Sequence, residues 1–236
     1  MIYVTDSSDN LKHKQASCRF VCVSDTHGKT NFSFPIPDGD VFVHAGDLTR
    51  YSMPDEFDKT IKWIQSLPHK IKIITAGNHD HILDENFGYI SHKQEILAKM
   101  DLAGILYLEH ESFQLPSEFG GYKMFVSPYA PYHIGGAFML HDLQEIWEKI
   151  PQDIDILVTH TPPYGYNDRI ARDGRHVGCP RLLEKVETIR PRVHLFGHIH
   201  EDHGWQWTKD ESTLMINACT CDRRYRPSQH PVVFDL

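Results

Sequence analysis

Phe20-Val21-Cys22-Val23-Ser24-Asp25-Thr26-His27 is a β-branched and aromatic run that ends in a carboxylate and, two residues on, an imidazole. The same design recurs along the chain. Val41-Phe42-Val43-His44-Ala45 runs into Gly46-Asp47, and 71–76 runs into Gly77-Asn78-His79-Asp80. Ile156-Leu157-Val158-Thr159 runs into His160, and Val193-His194-Leu195-Phe196 runs into Gly197-His198-Ile199-His200. In open α/β sheets the carboxyl ends of parallel strands form the ligand crevice, so these ends would deliver their polar groups to one place. Asp25 and His27, like His198 and His200, are two residues apart, which in extended chain puts both side chains on one side. Gly46, Gly77 and Gly197 stand just before a polar residue, where a missing Cβ permits a sharp turn and a close approach.

Outward from these runs, short strand patterns alternate with amphipathic stretches. Strands are expected at 20–24, 40–44, 71–75, 105–108, 123–127, 154–159, 193–196, 213–217 and 232–235. Helices are expected at 55–67, 91–100, 140–149 and 180–189. In the first of these, Phe57, Ile61, Ile64 and Leu67 form one apolar stripe and Pro68 is the stop. The segment from Gly104 to Ser127 reads as consecutive strands. A layered α/β domain with two sheets follows. Residues 1–18 read as an N-terminal arm, because 1–17 offer few apolar anchors, and 19–236 as the domain.

Composition bounds the function. The 236 residues carry 24 basic and 32 acidic side chains, a net charge of −8 that repels nucleic-acid phosphates. A nucleic-acid polymer is therefore not the expected partner. No apolar run approaches the roughly 18–20 residues that span a bilayer, so no membrane partner is expected. The polar first 17 residues carry no secretory pattern, and the 5 thinly spread cysteines suit a reducing compartment. Cytoplasmic location is the expectation; the oligomeric state stays open.

The strand-end set of Asp25, His27, Asp47, Asn78, His160, His198 and His200 pairs oxygen with imidazole and includes no thiolate. That chemistry suits manganese, iron, zinc or magnesium and disfavours a structural zinc site or an iron–sulfur cluster. Seven ligands exceed the need of one ion. Divided between two ions with one aspartate shared, they give four contacts to each, the arrangement of a dinuclear phosphoryl-transfer centre. Taken singly, Asp25 and Asp47 could be turn residues, and His27 or His160 a structural histidine. His44 and His194 are expected packed within strands; His69, His92, His110, His141 and His230 are expected on the surface. Arg50, Arg172, Arg175 and Tyr129 are candidate phosphate or base contacts. Cys219-Thr220-Cys221 lacks the partners of a metal site, and the Asp222–Arg226 cluster reads as a solvated loop.

The ordered set Asp-x-His, Gly-Asp, Gly-Asn-His-Asp, a lone His and Gly-His-x-His resembles the calcineurin-like metallophosphoesterases. Thr159-His160-Thr161-Pro162-Pro163, Val177-Gly178-Cys179 and the closing Pro231-Val232-Val233-Phe234-Asp235-Leu236 are similar to metallophosphoesterase-domain-containing proteins related to class III cyclic-nucleotide phosphodiesterases. The resemblance implies a four-layer α-β-β-α sandwich of two mixed sheets. It further implies one ion on Asp25, His27, Asp47 and His200, and a second on Asp47, Asn78, His160 and His198. His79 would face the substrate, oriented by Asp80, and a metal-bridging hydroxide would attack phosphorus. Two divalent ions, manganese first, and a small phosphodiester or nucleotide, such as a cyclic nucleotide, are the implied cofactor and substrate. The second motif departs from the family's Gly-Asp-x-x-Asp-Arg: here Gly46-Asp47 is followed by Leu48-Thr49-Arg50-Tyr51. Phosphomonoesterase or protein phosphatase activity on the same centre, and a non-catalytic scaffold, are the competing expectations.

Overall fold

Strands covered on both faces read as unbroken apolar runs, and most strands of this protein do. In the computed structural model, which describes residues 2–5, 18–133 and 135–236, the first half of the chain forms β1 (Tyr3–Thr5), β2 (Arg19–Val23), β3 (Val41–His44), α1 (Pro54–Ser66), β4 (Ile71–Ile74), α2 (Ile90–Leu102) and β5 (Leu106–Tyr107). There follow β6 (Glu111–Gln114), β7 (Lys123–Ser127), the short pair β8 (Ala130–Pro131) and β9 (Met139–Leu140), α3 (Gln144–Glu148) and β10 (Ile156–Thr159). The chain closes with α4 (Pro180–Ile189), β11 (Val193–Phe196), β12 (Gly204–Trp207), β13 (Leu214–Asn217) and β14 (Val232–Asp235). One six-stranded sheet has the order β1-β14-β2-β3-β4-β5 and the other β12-β13-β11-β10-β7-β6. Strands β2 to β5 are parallel, with β14 and β1 added antiparallel. In the second sheet β7, β10, β11 and β13 are parallel, flanked by antiparallel β6 and β12.

Alternation within each strand sorts side chains into three cores. Phe20, Cys22, Val41, Val43 and Ile73 of the first sheet meet Met124, Val126, Ile156, Val158 and Leu195 of the second. The opposite face of the first sheet, Val21, Val23 and Phe42, packs on Phe57, Ile61 and Ile64 of α1 and Ile96 and Met100 of α2. Phe125, Leu157, Phe196 and Met215 pack on Trp147 of α3 and Leu182, Val186 and Ile189 of α4. The result is the four-layer α-β-β-α sandwich with two mixed sheets. Helix α1 starts with Pro54, and the Glu56 side chain folds back to accept the Met53 N–H at 3.1 Å. Helix α4 also starts with a proline and ends where Arg190 turns left-handed.

The differences from expectation have local causes. The 105–127 segment holds the consecutive strands expected of it, but they are divided between sheets: β5 closes one and β6–β7 open the other. The helix expected over 140–149 shrinks to five residues. Leu140 is taken by the β8–β9 pairing, and the Asp142 carboxylate accepts the Gln144 N–H at 2.9 Å. Strand β12 is an edge strand whose middle residues, Trp205 and Gln206, are exposed. Of the expected arm, Tyr3–Thr5 pairs with β14 and Cys18 is buried in the central core, while residues 1 and 6–17 lie outside the described residues. His69 is not on the surface: it is buried against Phe42, with ring centroids 5.5 Å apart. No helix among the described residues is long and apolar enough to cross a membrane.

Trp147, 2% exposed, fixes α3 to the second sheet, and its indole N–H donates to Cys179 Sγ at 3.4 Å. Trp147→Ala is expected to cost about 3–5 kcal/mol in a denaturant titration while leaving metal content intact; an unchanged midpoint would show that α3 is not part of the cooperative core.

Candidate metal centre

The loops that follow β2, β3, β4, β10 and β11 converge across the two sheets. Backbone hydrogen bonds lock them together: Asp25 N–H to Gly46 O, His27 N–H to Asp47 O, and Gly197 N–H to His160 O. The turns are tight enough to force Asp25 (φ 53°), His27 (47°), Asp47 (56°) and His198 (70°) into the left-handed region. That region costs a non-glycine residue about 1–2 kcal/mol, so strain gathers on the expected ligands. The glycines before them are required by space. A Cβ on Gly197 would lie 2.1 Å from Asp25 Oδ2, and one on Gly77 would lie 2.3 Å from Asp47 Oδ1.

Four imidazoles are oriented in one way. His27 Nδ1 faces Thr49 O at 3.2 Å, His79 Nδ1 faces Arg50 O at 2.8 Å, His160 Nδ1 faces Ala45 O at 3.0 Å and His200 Nδ1 faces Asp222 O at 3.0 Å. A carbonyl can only accept, so each Nδ1 carries a proton and each Nε2 is the nitrogen turned inward. The Nε2 atoms of His27 and His200 are 3.0 Å apart, and His160 Nε2 is 3.0 Å from Asn78 Oδ1. Burial lowers His27 to about 4 and His198 to about 3, so both are neutral donors at pH 7. His198 stands beside His160, ring centroids 5.0 Å apart, and its backbone N–H donates to Asp25 Oδ2 at 2.9 Å.

The carboxylates show why this array suits cations. Asp25 and Asp47 are buried, and no lysine or arginine among the described residues pairs with either. Asp25 Oδ1 is buried without a hydrogen-bond partner. It looks onto His200 Nε2 at 3.2 Å and His27 Nε2 at 4.0 Å. Asp47 divides its oxygens, Oδ2 lying 3.7 Å from His27 and Oδ1 3.5 Å from His160. Three overlapping sets of donor atoms, Asp25–His27–His200, Asp25–Asp47–His160 and His27–Asp47–His79, each fall within 4.8 Å. Burial alone would lower His200, but Asp25 raises it to about 9, a sign that this position calls for positive charge. Imidazole nitrogens crowded round a buried carboxylate oxygen fit divalent ions.

The expectation that Asp80 orients His79 is corrected. The Asp80 carboxylate is turned away from that ring by the Asp80 N–H to Gly77 O turn. It accepts the N–H groups of Leu48 (3.1 Å), Thr49 (2.9 Å) and Gly77 (2.9 Å) and the Thr49 hydroxyl (2.7 Å). Asp80 therefore ties the Asp47 loop to the Asn78 loop, and the Arg50 carbonyl holds His79. The His79 side chain is 25% exposed, whereas those of His27 and Asp25 are fully buried. Burial opposes its charging, but Asp47 and the Arg50 carbonyl raise His79 above an ordinary imidazole.

The solvated loop expected at 222–226 belongs to the centre instead. Its Tyr225 ring meets His27 (centroids 4.8 Å apart), His200 (5.4 Å) and His79 (6.2 Å). The available signal was position alone: the segment comes after β13, another parallel strand of the second sheet. The Cys219 thiol donates to Asp25 Oδ2 at 3.2 Å, and burial pushes its pKa far up, so it is a support and not a thiolate. Arg172 and Arg175 pair with Asp173, and Tyr129 packs between His110 and Phe138.

Residues 18–202 match the family model described as calcineurin-like phosphoesterase. The chain is 37% identical over 237 residues to human metallophosphoesterase domain-containing protein 1, covering 92% of this chain and 71% of that one. It is 39% identical over 239 residues to a UPF0046 protein of Caenorhabditis elegans, covering 92% and 80%. Among solved structures, phosphopantetheinyl hydrolase from Mycobacterium tuberculosis shares the fold, with a TM-score of 0.57 at 12% identity over 89% of this chain and 92% of that one.

Asp80→Asn places an amide against donors that need an acceptor. It is expected to cost about 1–3 kcal/mol in denaturant titration and to weaken metal binding. Unchanged stability and metal content would show that the two loops stand without it.

Proposed function

The chain belongs to the calcineurin-like phosphoesterase family and is a metal-dependent phosphoester hydrolase; from that premise we propose that it cleaves a small phosphodiester, such as a cyclic nucleotide, at a dinuclear centre. In this reading Asp25, His27, Asp47 and His200 hold one divalent ion, and Asp47, Asn78, His160 and His198 the other. Manganese is the first choice, with iron, zinc and magnesium matching the same donors. The chemistry that such a pair supplies when bound is ionisation of water near neutral pH and neutralisation of phosphoryl oxygens. The diester preference rests on the resemblance to the cyclic-nucleotide branch. All five cysteines stand free and buried, which suits the reducing cytoplasm.

The chain's own part is positioning and proton control. Asp47, with its oxygens turned to histidines on opposite sides, is the carboxylate placed to be shared. His27, His160 and His200 have their rings fixed by carbonyls before any ion arrives, so little ordering remains to be done on binding. His79 carries its Nδ1 proton on the Arg50 carbonyl and turns a partly exposed Nε2 toward the mouth. Raised in pKa by Asp47, it is suited to stabilise charge on phosphoryl oxygen or to give a proton to the departing alkoxide. The observation that supports the reading most directly is the buried Asp25 Oδ1, faced by the Nε2 atoms of His200 at 3.2 Å and His27 at 4.0 Å.

The test uses manganese-loaded protein with bis-nitrophenyl and mono-nitrophenyl phosphate as paired substrates. Faster diester cleavage is expected; monoester preference would move the assignment to a phosphomonoesterase, and an inert, metal-free protein after manganese addition would favour a scaffold. His79→Ala is expected to keep its metal and lose about 10²–10⁴-fold in turnover. Asp47→Asn is expected to lose metal and turnover together. Equal metal content in the two variants would contradict this division of roles.

A further inference from the structure

One cation at the centre has no anion of its own. Arg50 is half-buried in the loop after β3, and among the described residues no carboxylate pairs with its guanidinium; Arg19, Arg181 and Arg226 all have such partners. Its side chain is held by rings. The guanidinium carbon lies 4.2 Å from the centroid of Tyr225 and 5.1 Å from that of Tyr51. Ring faces attract the cation but accept none of its in-plane N–H groups, so the donor fork stays open to another acceptor.

The rest of the loop is built to keep that group in place. The Arg50 carbonyl accepts the His79 Nδ1 proton at 2.8 Å, and the Glu56 carboxylate accepts the N–H groups of Arg50 (3.2 Å) and Tyr51 (2.9 Å). On the other side, Tyr225 sits at φ 58°, a position rare for an aromatic residue. The Asp222 carboxylate accepts the N–H groups of Arg224 (2.8 Å) and Arg226 (3.0 Å), while its carbonyl accepts from His200 at 3.0 Å. A strained tyrosine on a loop tied to a candidate metal ligand thus presents its ring to the Arg50 guanidinium. In a chain of net charge −8, an anionic substrate meets a repulsive mean field, so a local cation carries added weight.

We propose that Arg50, its guanidinium lying over the rings of Tyr225 and Tyr51, binds the non-bridging oxygens of the substrate's phosphoryl group, with Tyr225 a positioning residue for the guanidinium. This rests on the phosphoester-hydrolase reading of the centre. A planar fork matches two phosphoryl oxygens at once, which a lysine ammonium cannot do. The side-chain variants leave the Arg50 carbonyl, and hence the His79 ring, in place.

The test titrates inorganic phosphate calorimetrically into manganese-loaded wild type and variants, with metal content and diester kinetics measured on the same samples. Arg50→Ala is expected to keep full metal and to weaken both phosphate affinity and KM by about 10–100-fold, the range for a charge-assisted pair. Added guanidinium ion is expected to restore part of the loss, and Arg50→Lys to recover less than half of it. Tyr225→Ala is expected to reproduce the defect and Tyr225→Phe, which keeps the ring face, to recover most of it. Wild-type phosphate affinity and KM in Arg50→Ala would overturn the proposal, as would loss of metal in step with affinity. A wild-type protein that neither cleaves the esters nor binds phosphate would overturn the hydrolase reading and this inference with it.

Discussion

Two carboxylates, Asp25 and Asp47, are buried side by side, and among the described residues histidine is the only basic residue type paired with them. An isolated buried charge costs several kcal/mol, and two of like sign cost more, so such a pair persists only with positive charge between them. The surrounding imidazoles hold both groups below the ordinary carboxylate range against the pull of burial. Ring by ring, Nδ1 has been committed to backbone carbonyls, so Nε2 is the atom left to carry a balancing proton or to ligate an ion. A divalent cation bound by those Nε2 atoms and carboxylate oxygens supplies the positive charge in place of protons.

That electrostatic demand explains features with no value for stability. Left-handed backbone at Asp25, His27, Asp47 and His198 and glycines packed within van der Waals limits of carboxylate oxygens are costs carried at one spot. The sandwich offsets them. Two parallel sheet cores share one apolar interior, and their carboxyl ends open on the same side, so loops from either sheet reach a common point without long excursions. Cys219 and Asp80 complete the support, one bonding Asp25 and the other stitching the loops of Asp47 and Asn78.

Much of this was legible in the chain before folding was considered. A strand that ends in Gly-Asp or Gly-His-x-His announces both its element and its chemistry, because apolar alternation and ligand type are local properties. Strands β7, β11 and β14 and helix α4 fall where pattern places them. What was not legible depends on tertiary contact. Asp80 sits beside His79 in sequence, yet a turn directs its carboxylate to the backbone of another loop. Tyr225 lies among arginines in a stretch without period, and only the return of the chain past β13 sets it on the histidines. His69 follows a helix stop among polar residues, and its burial comes from Phe42 across the layer.

The account turns on Asp47 serving two cations at once. Manganese reconstitution, followed by metal counting and electron paramagnetic resonance, addresses that directly. The account predicts two ions per chain with an exchange-coupled spectrum. A single ion per chain, or two with the spectrum of isolated manganese, would contradict it.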